Sequence, residues 1–190
     1  MAFFQKIKEY NRIANIEEIG RRYFAMNSFD GILTILGVII GSYIAGVKDY
    51  HVIVSAGFGV SIAMGISGFW GTYMTEKAER KKKVKELGKA TLSDLKNTNI
   101  GKAEHSATLI VSAIDGISPF LAAFIVITPF FLINITYAYL FSTIIAFILL
   151  ALLGGFLGHI SSENIIISGL KMIIAGLVCV GIIYFLGKPL

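Results

Sequence analysis

Residues 29–47 read FDGILTILGVIIGSYIAGV, an apolar run whose one charged side chain is Asp30. An α-helix rises about 1.5 Å per residue, so about 20 apolar residues cross the hydrocarbon core of a bilayer. The run therefore predicts a transmembrane helix. The same Asp-Gly pair recurs in a second apolar run, IDGISP at 114–119, where it places Asp115. An acidic side chain costs about 2.5–3.5 kcal/mol at the centre of a span and less near its ends, which makes both aspartates candidates for function.

The composition extends this prediction to the whole chain. Hydrophobic residues make up 55% of it, charged residues 15%, and the mean hydropathy is +0.75. These values lie outside the range of ordinary soluble domains. They predict an all-α membrane protein with an N-terminal segment over 1–28, a transmembrane domain over 29–190 and a connecting loop over 75–106. The five predicted spans are 29–47, 52–74, 107–133, 137–158 and 165–186.

Basic residues predict the orientation. The segment before the first span holds five Lys and Arg residues, the 75–106 loop holds nine, and Lys171 begins the fifth span. Only Lys48 and Lys188 fall on the other side. This excess places the N-terminus and the loop in the cytoplasm and the C-terminus outside, in the cell membrane if the source is prokaryotic. It also explains the positive charge without a nucleic-acid partner.

Apolar residues recur at near-helical spacing through the N-terminal segment, which predicts an amphipathic helix on the inner membrane surface. These residues are Phe3, Phe4, Ile7, Tyr10, Ile13, Ile16 and Ile19.

The two halves of the chain match in order. Asp30 and Asp115 each stand 18 residues before a predicted outer turn, and GFWGTYMTE (68–76) corresponds to GFLGHISSE (155–163). Chance similarity between apolar helices is the alternative. The ordered match favours a parallel internal repeat of two helices, spans 1–2 and 3–4, related by an axis along the membrane normal.

Such a repeat predicts a ladder of carboxylates, with Asp30 and Asp115 at equal depth and Glu76 and Glu163 at the cytoplasmic helix ends. Pro119 strengthens this prediction, since a proline leaves the carbonyl four residues earlier, that of Asp115, without its helical partner. Oxygen ligands of this kind suit a hard or borderline divalent cation. The alternative is that each aspartate is satisfied by hydroxyls of neighbouring helices or reaches the membrane surface.

Two further residues are weaker candidates as metal ligands. The thioether of Met64 is a soft ligand that favours a transition metal, although a methionine more often fills a gap in an apolar core. Glu79 lies one helical turn from Glu76 and extends the acidic set along the same helix.

Three segments resemble the vacuolar iron transporter family. FDGILTILGVIIG (29–41) looks like the first span of that family, SIAMGISGFWGTYMTEKAE (61–79) like its second, and SGLKMIIAGLVCVGIIYFLG (168–187) like its last. The resemblance implies a homodimer that moves Fe2+ or Mn2+ out of the cytosol in exchange for protons, with Asp30 as the translocation aspartate. Gly68 stands where the family has methionine and Thr72 where it has glutamate, and the 75–106 loop is too short for the family's glutamate-rich helical domain.

The functional expectation combines these points. We expect a transporter that exports a divalent transition metal by proton antiport, with Asp30, Asp115, Glu76, Glu163, Met64 and Glu79 as metal ligands. Its expected partners are the lipid bilayer, the transported metal, protons and a second copy of the chain, with no resident cofactor. Neither a Ser-His-Asp set, a Cys-His zinc spacing nor a Walker loop is present, so no enzymatic activity is expected. The alternative is a membrane scaffold or partner subunit that does not transport.

Overall fold

The computed structural model describes residues 2–187, and the side chains from residue 8 onward. Within this part the chain is helical and forms no strand, as the composition predicts. The helices are α1 (Ala2–Ala14), α2 (Ile16–Ile44), α3 (Tyr50–Ala90), α4 (Asn99–Ile127), α5 (Pro129–Leu132), α6 (Ile135–Ile160) and α7 (Ile165–Leu186).

Five of these helices are long and apolar enough to cross a membrane, namely α2, α3, α4, α6 and α7. Each contains most of one predicted span, which confirms the all-helical fold class and the number of spans. Large apolar side chains stand exposed on their surfaces; Ile166 and Phe185 of α7 are 80% and 79% exposed. Apolar surface on this scale calls for lipid rather than water as the surrounding solvent, so the chain is an integral membrane protein.

The N-terminal segment differs from the prediction. The periodicity predicted one surface helix over residues 1–28, but α1 ends at Ala14 and α2 begins at Ile16 and continues into the first span. Asn15 separates them with a φ of 49°, a left-handed conformation that asparagine tolerates better than most residues. The Asn11 side chain accepts a hydrogen bond from the Glu17 N–H at 2.7 Å, which supports the start of α2. The side chains of Phe3, Phe4 and Ile7 lie outside the described part.

The predicted 75–106 loop is largely helical. The 41 residues of α3 span about 60 Å, roughly twice the hydrocarbon thickness, so its second half continues beyond the apolar run. Residues 91–98 then form the turn to α4, in which Leu92 adopts a φ of 51°. Most charged residues of this segment therefore lie on two helices, and only Asp94 and Lys96 fall in the turn between them.

The prolines of the third predicted span have different effects. Pro119 lies inside α4, which continues to Ile127, whereas Pro129 begins the short helix α5. The span predicted to end at residue 133 is thus interrupted at Thr128. A Cβ atom at Gly31 of α2 would lie 2.7 Å from the Pro119 Cα, so the glycine of the first Asp-Gly pair permits close contact with α4.

The chain divides into two compact units. One contains the residues up to Phe24 together with Gly65–Ile117, and the other contains Ala25–Met64 and the residues from Ser118 onward. In the first unit, Tyr10 and Ala14 of α1 pack against Ala103, Ala107 and Val111 of α4.

The second unit has its own apolar core. Ile35, Leu36 and Ile39 of α2 are buried in it together with Leu150 of α6. The helices α6 and α7 form a close hairpin, in which a Cβ atom at Gly154 would lie 2.5 Å from the Ser168 carbonyl oxygen.

Candidate functional site

Asp115 is a buried carboxylate of the first unit. It lies on α4 and is 3% exposed. Thr72 of α3, itself 6% exposed, donates a hydrogen bond from Oγ1 to Asp115 Oδ2 at 2.5 Å. A short hydrogen bond to a carboxylate away from water is strong, because the low local dielectric strengthens it. The acid that the second Asp-Gly pair places in a span is therefore enclosed by protein and held by a hydroxyl group.

Glycines bring α3 and α4 together around this carboxylate. A Cβ atom at Gly116 would lie 2.7 Å from the Gly65 carbonyl oxygen, so the backbones meet directly beside Asp115. A Cβ atom at Gly68 would lie 3.2 Å from Asp115 Oδ2. The carboxylate thus occupies the space that a side chain at position 68 would need, which explains why a glycine stands there.

A charged network continues along the same pair of helices. Arg80 of α3 contacts Glu76 through Nε at 2.8 Å and Glu104 of α4 through Nη1 at 2.5 Å. Lys83 Nζ lies 2.6 Å from the second oxygen of Glu104. The Tyr23 hydroxyl of α2 donates to Glu76 at 3.1 Å. Two carboxylates are thus matched by two cationic groups, and the network is close to neutral.

The network is unusual in its burial. Arg80 and Glu104 are only 6% and 2% exposed. Arg80 Nη1 also donates to the Ala14 carbonyl oxygen at 3.2 Å, so the guanidinium joins the end of α1 to α3 and α4. Removing one partner of such a pair leaves the other charge buried without compensation, and this costs several kcal/mol.

Helical spacing places these groups in two rows. Thr72, Glu76 and Arg80 stand four residues apart on α3, and Glu104, Thr108 and Ser112 stand four apart on α4, three residues before Asp115. Residues four apart share one helix face. Thr108 and Ser112 donate their hydroxyl protons to backbone carbonyls of their own helix, at 3.0 and 2.6 Å. A polar seam therefore runs between α3 and α4, from Asp115 to the Arg80 network.

The other predicted ligands lie elsewhere. Asp30 on α2 and Glu79 on α3 are exposed, and Met64 on α3 is half-buried. Glu163, in the turn between α6 and α7, is 58% exposed and lies 3.5 Å from Lys171 Nζ. The two aspartates of the predicted repeat thus differ in burial, since Asp30 is exposed and Asp115 is buried beside Gly68 and Thr72.

Over residues 2–187, no three His, Cys, Asp or Glu side chains are grouped closely enough to hold a metal ion. Metal binding by the six predicted residues stays a prediction. The sequence argument did not identify Arg80, Glu104 and Thr72 as parts of the site. The four-residue spacing of Thr72, Glu76 and Arg80 was the available signal, since it sets a threonine, an acid and a base on one face of a helix.

This arrangement can perform limited chemistry. A carboxylate that accepts a hydrogen bond from a threonine hydroxyl can take up a proton, or it can share a cation with the hydroxyl oxygen, which keeps two lone pairs. Glu76 and Glu104 are less available to bind a proton or a cation, because each already forms an ion pair with Arg80. Asp115 instead accepts a hydrogen bond from the neutral hydroxyl of Thr72, whereas Arg80 joins α3 to α4.

Comparison with known proteins adds one relative. The chain is 41% identical over 173 residues to the uncharacterized protein MJ0645 of Methanocaldococcus jannaschii, a match that covers 89% of this chain and 88% of that protein. No protein-family model matches the chain. The similarity therefore extends over most of both proteins rather than over a single pair of helices.

Proposed function

We propose that this chain, which belongs to the family of the Methanocaldococcus jannaschii protein MJ0645, transports a divalent transition-metal cation out of the cytosol in exchange for protons. The proposal draws on the resemblance of the first, second and last spans to the vacuolar iron transporter family. The proposed cation is of the Fe2+ or Mn2+ type, as that resemblance implies.

One observation carries the proposal, namely the burial of Asp115 in a chain of five membrane-spanning helices. Asp115 is 3% exposed, and its Oδ2 atom accepts a hydrogen bond from Thr72 at 2.5 Å. Ionisable groups inside spans are rare and commonly belong to ion or proton pathways. A membrane protein that needed only packing at this place would do as well with an apolar residue.

The proposed exchange uses the protonation of Asp115. An ionised Asp115 binds the cation, and the Thr72 hydroxyl turns its lone pairs toward the same ion. A protonated Asp115 loses its attraction for the cation and releases it. Asp30 acts in the same way in the first half of the proposed repeat. Transport then weakens as the cytoplasmic pH falls, because protons compete with the metal for the carboxylates.

The arrangement in the membrane completes the proposal. The distribution of Lys and Arg supports a cytoplasmic N-terminus and an external C-terminus. We further propose that α1 lies on the inner membrane surface, that spans 1–2 and 3–4 form a parallel repeat, and that two copies of the chain assemble into a dimer.

Flux measurements test the proposal. The protein is reconstituted into liposomes, and uptake of Mn2+ and Fe2+ is followed with and without a pH gradient. We expect Asp115→Asn and Asp30→Asn each to reduce flux at least ten-fold, because Asn keeps the shape of the side chain but loses the charge that binds the cation. Asp49→Asn is the matched control. It changes an exposed aspartate in the link between α2 and α3, where the amide oxygen can still accept from the His51 N–H.

A second function, a membrane scaffold that does not transport, is favoured by the Arg80 network. Glu76 and Glu104 are held by Arg80, which uses them to join helices rather than to bind a free ion. The scaffold predicts no flux in the parent protein and a clear loss of stability in Asp115→Asn. The transporter predicts flux that depends on the pH gradient, and stability that is unchanged or raised when the buried charge is removed. Equal flux in the parent and both aspartate variants would contradict the exchange mechanism.

A further inference from the structure

A cavity lined by both basic and apolar residues lies in the first unit, between the second half of α3, the turn at 91–98 and the start of α4. Its volume is about 800 Å³. Six Lys and Arg side chains line it, together with only two carboxylates. The basic residues are Lys77, Arg80, Lys81, Lys85, Lys89 and Lys96.

Four of these lysines form a row. Lys77, Lys81, Lys85 and Lys89 stand four residues apart along α3, so neighbours in the row are separated by about 6 Å of helix axis. All four line the cavity, whereas Lys82 and Lys83 on the same helix do not. An orientation signal alone requires Lys and Arg on one side of the membrane, but it does not require them to surround one cavity.

The two carboxylates of the cavity are already engaged. Glu104 is bound by Arg80 and Lys83 at 2.5 and 2.6 Å. One oxygen of Asp94 accepts from the Lys96 backbone N–H at 3.0 Å. Six cationic side chains against these two carboxylates leave an excess of positive charge in the cavity walls.

Arg80 provides the second and independent observation. It is 6% exposed, it forms part of the cavity wall, and its Nη2 atom has no hydrogen-bond acceptor among the described residues. A buried guanidinium N–H without an acceptor is unfavourable, and nearly all such groups in native proteins are satisfied. The cavity thus combines a row of cations with a wall residue, Arg80, whose buried Nη2 atom lacks an acceptor in the described part of the chain.

We propose that this cavity binds an anion that carries phosphate groups. Phosphate oxygens accept strong hydrogen bonds from both ammonium and guanidinium groups, and several linked phosphates match a row of lysines better than a single small anion does. A free polyphosphate and the headgroup of an anionic phospholipid present the same chemistry. The proposal is independent of metal transport, since it uses neither Asp115 nor Asp30.

The test uses the full chain in lipid nanodiscs of phosphatidylcholine, titrated with inorganic tripolyphosphate by calorimetry. We expect saturable binding with one ion per chain. Lys85→Gln should raise the Kd about five-fold, a typical contribution of one lysine to binding an anionic surface. Lys82→Gln removes the same charge from the same helix outside the cavity and should change the Kd by less than two-fold. Arg80 is left intact, because its loss would strand the buried Glu104.

A second arm distinguishes the two sources of phosphate. Nanodiscs that contain one-third phosphatidylglycerol should raise the Kd for tripolyphosphate if lipid headgroups enter the cavity, and this rise should be larger for the parent than for Lys85→Gln. An equal Kd in both kinds of disc assigns the site to a free anion. Equal losses in Lys82→Gln and Lys85→Gln would overturn the proposal, as would the absence of saturable binding in the phosphatidylcholine discs. Thermal unfolding of both variants checks that they remain folded.

Discussion

Asp115 and Thr72 show how a hydroxyl helps to make a buried acid tolerable. A carboxylate taken from water loses its hydration, and each oxygen needs a donor in return. Thr72 provides one at 2.5 Å, from a side chain that is itself buried. Small side chains on α3 also leave the carboxylate room to stay between the helices.

Removing that hydroxyl should destabilise the protein. We expect Thr72→Val to lower the free energy of unfolding by about 1–3 kcal/mol, because it leaves a buried acceptor without this donor. Thr72→Ser keeps the hydroxyl and should retain most of the stability. Denaturation of the purified protein in detergent measures both. Equal stability of the Val and Ser variants would show that the hydrogen bond contributes little.

At this scale the sequence singles out Asp115 as an acid inside a span, but it does not predict the contact with Thr72. The cost of an acid in a span follows from composition alone. The contact with Thr72 joins residues 43 positions apart and depends on the register between α3 and α4. The spacing of residues within one helix does not reveal how that helix is aligned against its neighbour.

The helices α3 and α4 owe their close contact to glycine. The backbone of Gly116 approaches Gly65 so closely that a Cβ atom would lie 2.7 Å from its carbonyl oxygen, and 2.8 Å from the Phe69 Cβ. Small residues at such points let helix backbones approach each other in a membrane. In both Asp-Gly pairs the glycine meets a backbone: Gly31 that of Pro119 and Gly116 that of Gly65.

A methyl group at this contact should be harmful. We expect Gly116→Ala to destabilise the protein by about 1–3 kcal/mol, because the added atom meets backbone that cannot move aside. Gly71→Ala on α3 is the matched control, since a Cβ atom there meets nothing within 4 Å. Alanine favours a helix by up to about 1 kcal/mol over glycine, so the control should be neutral or stabilising. Melting temperatures of the two variants would contradict this account if they fell equally.

The Arg80 network joins elements in a different way, through charge. We expect Arg80→Met to cost about 3–5 kcal/mol, since Glu104 would remain buried with only the half-exposed Lys83 beside it. The double variant Arg80→Met/Glu104→Met removes both buried charges and should recover much of this loss. Chemical unfolding of the two singles and the double completes a mutant cycle. Additive losses would mean that the two side chains do not interact.

The i,i+4 pair of Glu76 and Arg80 is visible in the sequence, but the link from Arg80 to Glu104 is not. The sequence argument took Glu76 as an open carboxylate because it considered each helix separately. The observed helix ends also differ from the predicted ends of the spans. The second half of α3 is too polar to count as a span, yet it stays helical through Ala90 because good helix formers such as Lys, Glu and Ala fill it.

On the scale of the whole molecule, apolar and charged surfaces are separated along the chain. Five helices carry apolar runs long enough to span, and nine of the 17 Lys and Arg residues lie in the 75–106 segment. Composition and hydropathy suffice to predict that division, because both depend on the sum over many residues rather than on any one contact. The same sums do not reveal that this segment packs into a unit with α1.

The predicted orientation can be tested by cysteine labelling after the native Cys179 is replaced by alanine. We expect an impermeant reagent added outside intact cells to label Tyr50→Cys and Gly187→Cys but not Lys89→Cys, because basic residues favour the cytoplasmic side. Permeabilised cells provide the control, in which Lys89→Cys should be labelled. The reverse pattern would turn the proposed export into import.

Arg80 also bears on how the protein depends on its surroundings. Acidic clusters in many proteins stay together only while a salt or a metal neutralises them, and they separate in a chelating buffer. Here the guanidinium of Arg80 and the ammonium of Lys83 are covalently part of the chain and already balance Glu76 and Glu104. The two carboxylates of this network therefore carry their counter-charges on the same chain, and neutralising them takes no metal ion from outside.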